Sequence, residues 1–172
     1  MKRTVMLLAA GWMIAGVVPP AQAVDLYGFA SYWDKGDVRG KGGFGIGIGT
    51  PVYSEHLRLD GRIYIIGQSS LGPGDDLTMV PFDFGLQLHL MPHADLDPYA
   101  MAGVSYIYAD ADRSDVDSSF GAYFGAGIEW APVSFLRVFG EGIYRAQELN
   151  GRQGSSIDVS GLTCNVGLKF SF

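Results

Sequence analysis

The segment Thr78-Met-Val-Pro-Phe-Asp-Phe-Gly-Leu-Gln-Leu-His-Leu90 decides the fold. Val80, Phe82, Phe84, Leu86, Leu88 and Leu90 fall on one side of an extended chain. Asp83, Gly85, Gln87 and His89 fall on the other. Successive side chains of a strand point to opposite faces, so this period of two builds an apolar wall backed by a polar one.

The same period recurs outward from it. Phe44 to Thr50 alternates with glycine. Leu57 to Ile65 sets Leu57, Leu59, Ile63 and Ile65 against Arg58, Asp60, Arg62 and Tyr64. Phe120 to Trp130 and Leu162 to Phe172 repeat the pattern, and residues 25–33, 98–108 and 135–145 carry it less cleanly. Eight strands result. The connections near 34–42, 67–76, 109–118 and 146–157 are long and polar, whereas those near 51–56, 91–97 and 131–134 are shorter. Alternating long and short ends around an even strand count predict an all-β, eight-stranded antiparallel up-and-down transmembrane β-barrel. Its short turns and both termini would lie in the periplasm, and its long loops outside.

Composition agrees with a barrel. Of 172 residues, 48% are hydrophobic, 17% are charged and 25 are glycine. Disorder needs the opposite balance. One cysteine excludes a disulfide framework or a Cys-rich metal site. A formal charge of −6 speaks against nucleic acid as a partner. Residues 1–23 read as a cleaved signal peptide: Lys2 and Arg3, an apolar run to Val18, then Ala21-Gln22-Ala23. The competing reading, a membrane anchor, needs about 20 apolar residues. Residues 24–172 then form one domain.

A soluble barrel that encloses a ligand shows the same period with its apolar face inward. Three features point the apolar face outward. The polar face is largely glycine at Gly43, Gly45, Gly47, Gly49, Gly121, Gly125 and Gly127, which suits the crowded interior of an eight-stranded barrel. Aromatics gather at the strand ends. Trp33, Tyr106, Tyr108 and Tyr144 lie toward the loops, and Tyr53, Tyr99, Trp130, Phe170 and Phe172 toward the turns; two such belts match the two bilayer interfaces. The third is an aromatic ending within the last strand, Gly167-Leu-Lys-Phe170-Ser-Phe172. That ending resembles the signal that outer-membrane barrels present to the barrel-assembly machinery, with Gly167, Phe170 and Phe172 as its elements. Asp97-Pro-Tyr99 running into Gly103 and Tyr106 is similar to a strand common in small barrels. Residues 24–172 as a whole resemble the OmpA-transmembrane, OmpX and opacity-protein group. The resemblance implies an outer-membrane location and contact with outer-membrane lipids, lipopolysaccharide and the assembly machinery.

Catalytic chemistry finds little support. His56, His89 and His93 all fall toward the periplasmic end, away from Ser69 and Ser70, so the triad of a lipid A-modifying hydrolase is not expected. Asp110, Asp112, Asp115 and Asp117 lack the glycine and terminal glutamate of an EF-hand loop. No metal, cofactor or enzymatic activity is expected. The inward faces do collect charge: Arg58, Arg62, Arg137 and Lys169 against Asp60, Asp83, Glu129 and Glu141. Buried charges persist only when paired. The lumen is therefore expected to be a neutral polar network in which Arg62 pairs with Asp83 and Glu129 with Arg137. The function expected is that of a monomeric, non-enzymatic outer-membrane protein serving envelope integrity or loop-borne surface contacts. A narrow gated channel is the first alternative, a lipid A-modifying enzyme the next and a soluble periplasmic binder the last.

Overall fold

The computed structural model describes residues 24–35, 41–72, 75–111, 116–151 and 156–172. The proposed signal peptide lies outside them. Eleven strands follow in order: β1 (Asp25–Lys35), β2 (Lys41–Val52), β3 (Ser54–Gly72), β4 (Asp75–His89), β5 (Leu96–Ala111), β6 (Val116–Asp117), β7 (Ser119–Val133), β8 (Leu136–Ala146), β9 (Glu148–Gly151), β10 (Ser156–Asp158) and β11 (Gly161–Ser171). Eight of them close a barrel in the order β1-β2-β3-β4-β5-β7-β8-β11, each antiparallel to its neighbours. Closure pairs β1 with β11 in unbroken register from Asp25–Ser171 to Lys35–Gly161. Beyond the strands, Val24 and Phe172 exchange two backbone hydrogen bonds, at 3.2 and 3.1 Å.

The parity read from sequence is the parity of the wall. Phe44, Ile46, Phe84, Leu88, Phe124 and Val166 are all exposed on the outer face. The glycines opposite them make room for inward rings. A Cβ on Gly47 would lie 2.2 Å from the Tyr27 ring, one on Gly45 2.3 Å from Phe29, and one on Gly127 2.5 Å from Tyr99. Pro81 gives no N–H to a ladder, and the recorded β3–β4 pairing skips from Ile63–Phe82 to Ile66–Met79 around it. At the β2–β3 turn, Tyr53 takes the left-handed conformation, φ 70°.

Two expectations about the ends change. Residues 67–76 are mostly strand, because the β3–β4 hairpin continues to Gly72 and Asp75; Ser69 and Ser70 belong to it. From two of the other long connections, near 109–118 and 146–157, β10, β9 and β6 form a small three-stranded sheet. Hydrogen-bonded hairpins need no apolar alternation once they leave a bilayer, so periodicity does not reveal them. The loop-end aromatic belt also loses a member. Trp33 faces inward and is 1% exposed. Tyr99, assigned to the opposite belt, is likewise buried in the lumen.

Inside, an apolar layer closes the loop end. Ile66, Met79, Ile107, Leu149 and Val159 are all buried with Trp33 in one cluster. Each lies two or four residues farther toward the loops than a polar lumen residue on its own strand or that strand's extension: Tyr64, Asp83, Ser105, Arg145 and Thr163. Below this layer the lumen is polar, with aromatic rings packed among the charges.

Candidate functional site

The inward side chains of seven of the eight barrel strands converge on that polar interior, while β2 presents glycines to it. Tyr27 and Phe29 come from β1, Arg58, Asp60 and Arg62 from β3, and Asp83, Gln87 and His89 from β4. Asp97 and Tyr99 come from β5, Glu129 from β7, Arg137, Glu141 and Arg145 from β8, and Asn165 and Lys169 from β11. The eight charged residues singled out from the sequence are all placed here, but their partners differ in part from those expected.

Three ionic groups stack along the lumen. Nearest the loops, Arg145 makes a two-pronged ion pair with Asp83, at 2.6 and 2.7 Å. It also donates to Ser105 Oγ at 3.0 Å and Thr163 Oγ1 at 3.2 Å. Its guanidinium lies 4.7 Å from the Tyr64 ring centroid and 5.2 Å from that of Trp33. In the middle, Arg62 bridges two acids. Its Nε donates to Asp60 at 2.5 Å, and its Nη1 pairs with Glu141. Tyr27 donates to Asp60 at 2.5 Å, while Tyr99 and Asn165 donate to Glu141 at 2.6 and 2.8 Å. Toward the turns, Glu129 receives Lys169 and, at 3.1 Å, Arg137. Arg58 pairs with Asp25, which also accepts the Ser171 hydroxyl at 2.6 Å.

The Glu129–Arg137 contact is present, but Arg62 does not bond to Asp83. The two are direct cross-strand neighbours, yet Asp83 is taken from across the lumen by Arg145, a residue missing from the expected set. Asp25 and Asp97 were missing too. The neutral set of four and four is thus corrected. Among the described residues the lumen holds Asp25, Asp60, Asp83, Asp97, Glu129 and Glu141 against Arg58, Arg62, Arg137, Arg145 and Lys169.

His89 stands beside the sixth acid, Asp97. Gln87 donates its amide to Asp60 at 3.0 Å, which turns its Oε1 toward His89 Nε2 at 3.2 Å. That leaves His89 Nδ1 facing Asp97 Oδ2 at 2.7 Å. A carboxylate only accepts, so Nδ1 carries the hydrogen that Asp97 receives. The ring stacks on Tyr99 at 5.0 Å. His89, Asp97 and Glu129 bring ligand-type atoms within 4.8 Å of one another. Those atoms already serve the ion pairs just described, and a divalent cation would join Lys169 and Arg137 beside Glu129. The cluster is engaged in hydrogen bonds and ion pairs of its own.

The other histidines lie at the turn end. His56 Nδ1 meets the backbone oxygen of His89 at 2.8 Å, and the exposed His93 meets Glu55 at 3.3 Å. The side chains of Asp110, Asp112, Asp115 and Asp117 lie outside the described residues. Cys164 is exposed on the outer face. Of the ending motif, Phe170 and Phe172 face outward, while Gly167 faces in, where a Cβ would meet Gly28 O at 2.4 Å and Phe29 Cβ at 2.6 Å.

A closed eight-stranded wall, apolar outside and ionic inside, is the architecture of a membrane barrel. The outer membrane protein beta-barrel domain family matches residues 23–170. The chain belongs to this family. Membership places this outer-membrane barrel domain in the outer membrane. No curated relative matches it by sequence. Among solved structures it is similar to the outer membrane protein OprG from Pseudomonas aeruginosa, with a TM-score of 0.71, 14% identity and coverage of 88% of this chain and 96% of that one. It is similar to Neisserial surface protein A, at 0.68, 15%, 88% and 97%. It is also similar to outer membrane protein AlkL in lipid bilayers, at 0.62, 16%, 88% and 90%. At these identities the likeness concerns the fold.

Proposed function

We propose that this outer-membrane barrel domain is a non-enzymatic, non-conducting envelope protein that acts through its loop end. One observation carries the reading: the three stacked ionic groups and the apolar layer above them fill the lumen with bonded side chains. An ion entering from the loop end would have to cross Ile66, Met79, Ile107, Leu149 and Val159. It would then have to break pairs such as Arg145–Asp83. Each broken buried pair costs on the order of 3–5 kcal/mol. The histidine contacts also favour the non-enzymatic reading. Their recorded partners are Asp97, Gln87, Glu55 and a backbone oxygen, so the described residues align no histidine with a serine nucleophile.

In this reading the long hairpins and the β10-β9-β6 sheet face outside, where they meet lipopolysaccharide and other surface partners. The lumen residues Arg58, Asp60, Arg62, Asp83, Glu129, Arg137, Glu141 and Lys169 act as a rigid internal strut. Gly167, Phe170 and Phe172 serve delivery by the assembly machinery. The barrel works as a monomer. Planar-bilayer recording tests the central claim. Folded protein should give no steady conductance, while a deletion strain should show altered envelope permeability with unchanged lipid A. Discrete channels in the bilayer would favour the gated conduit instead, and altered lipid A would favour the enzyme.

A further inference from the structure

The barrel wall is interrupted along one line near its loop end. β6 and β7 are separated at Ser118, β8 and β9 at Gln147, and β10 and β11 at Val159 and Ser160. The Val159 N–H still reaches the Gln147 backbone oxygen there, at 3.1 Å, and side chains supply further bonds. Gln147 donates its amide to the backbone oxygen of Ser119 at 2.9 Å and to the Ser119 hydroxyl at 3.2 Å. Ser160 Oγ accepts the Gln147 backbone N–H at 3.0 Å. A notch of about 640 Å³ opens at this line, lined by Ser118, Ser119, Phe120, Gln147, Glu148 and Ser160 together with Ala146.

We propose that this notch binds a neutral, hydroxyl-bearing ring, the chemistry of a sugar. Three observations carry the assignment. Gln147 is 4% exposed, and its Oε1 is a buried acceptor without a partner, an arrangement that is unfavourable unless a donor reaches it. Serine hydroxyls beside it can both give and accept hydrogen bonds. Phe120 is 77% exposed at the rim, its ring 4.8 Å from that of Tyr106, and so offers an apolar face for a sugar ring to cover. Charge narrows the class further. Among the described residues no lining residue is cationic, Glu148 is acidic, and Asp158 lies beside Ser160. The Asp158 carboxyl is held below the usual range by hydrogen bonds from Ser160. Phosphate and sulfate are therefore disfavoured. Tyr106, Phe120, Phe124 and Tyr144 form outward aromatic pairs around this height, and such residues mark the bilayer interface. A sugar can reach the notch either from a glycolipid headgroup or free from solution. The assignment holds whichever way the loop end faces, so its failure and that of the preceding reading are separable.

The test uses the folded protein in lauryldimethylamine oxide micelles, a sugar-free detergent, followed by amide NMR. Octyl glucoside should shift the amides of Ser118–Phe120, Ala146–Glu148 and Ser160 saturably, well before those of other interface residues such as Tyr108. Methyl glucoside acting equally well would identify the free sugar as sufficient; action by octyl glucoside alone would identify the headgroup. Phe120→Ala, a change at an exposed side chain, should weaken either ligand about fivefold, the equivalent of roughly 1 kcal/mol. Octyl phosphate should bind worse than octyl glucoside, and Glu148→Lys should reverse that order. The proposal is overturned if octyl glucoside shifts the whole aromatic belt evenly, or if octyl phosphate saturates the same amides at equal concentration in the unaltered protein. It is equally overturned if Phe120→Ala leaves the affinity unchanged.

Discussion

Replacing either member of the Arg145–Asp83 pair should expose how much the lumen depends on contacts across it. The hydrogen bonds Asp83 accepts among the described residues both come from Arg145. Arg145→Met would therefore strand a carboxylate that is 3% exposed, at a cost of about 3–5 kcal/mol. The reverse change is gentler. After Asp83→Leu, Arg145 keeps Ser105, Thr163 and the faces of Tyr64, Trp33 and Tyr123. Each buried cation–ring contact contributes on the order of 1 kcal/mol, so Asp83→Leu should cost about 1–2 kcal/mol less than Arg145→Met. The double replacement should be milder than Arg145→Met alone, because an apolar pair leaves no buried charge. Urea unfolding in lipid vesicles, followed by tryptophan fluorescence, provides the four free energies of the cycle. Coupling of about 2–3 kcal/mol is expected for Arg145–Asp83, and much less for Arg62–Asp83 despite their adjacency. Additive losses for the first pair, or stronger coupling in the second, would refute the assignment of partners.

Glycine positions should split by face. Gly47→Val drives a side chain into the Tyr27 ring and should destabilise by about 1–3 kcal/mol. Gly142→Ala, with open space where a Cβ would stand, should stay within about 0.5 kcal/mol in the same urea assay. Deleting Phe172 removes two hydrogen bonds to Val24, a modest net loss of about 1 kcal/mol each. The truncated protein should refold in detergent with normal strand circular dichroism, yet in cells it should accumulate as periplasmic precursor or fragments; wild-type insertion would remove the assembly role. An epitope inserted after Gly72 should bind antibody on intact cells, whereas one at Ala94 should not. The reverse pattern would turn the barrel over.

The eight barrel strands were legible because a bilayer imposes one rule on every spanning residue, and Phe82, Phe84, Leu86 and Leu88 obey it without exception. The partners of the lumen charges were not. Adjacent register can be read from turns, and it places Arg62 beside Asp83. Which side chain reaches across is decided by β8, three strands away around the wall from β4, and by the Tyr123 ring that Gly85 and Gly103 admit beside the Arg145 guanidinium. Arg145 shares its parity with Arg137 and Glu141, so that signal existed in the sequence; Asp25 and Asp97 sit at strand starts, where parity is hardest to assign. Trp33 and Tyr99 look like interfacial anchors by position. Only the cavity opposite Gly127 and the guanidinium of Arg145 show why rings belong inside. Nothing in the spacing of residues 146–158 marks β9 and β10; Leu149 of β9 and Val159 next to β10 are buried.

The apolar layer at the loop end means that the chain changes solvents partway along its length. Below Arg145 it is built inside out, with leucine and phenylalanine against lipid and salt bridges within. Above it, Leu149 and Val159 turn inward while Glu148 and Asp158 are exposed, as in any water-soluble protein. The upper storey is thus held by exclusion of water and the lower by lipid and ion pairing. Urea weakens the first kind of cohesion by solvating apolar groups, but it has little access to strands enclosed by acyl chains. Hydrogen exchange in mild urea should accordingly release the amides of β9 and β10 while those of the lower barrel stay locked. The loop end can then loosen, reshape or tolerate substitution without the membrane barrel beneath it coming apart.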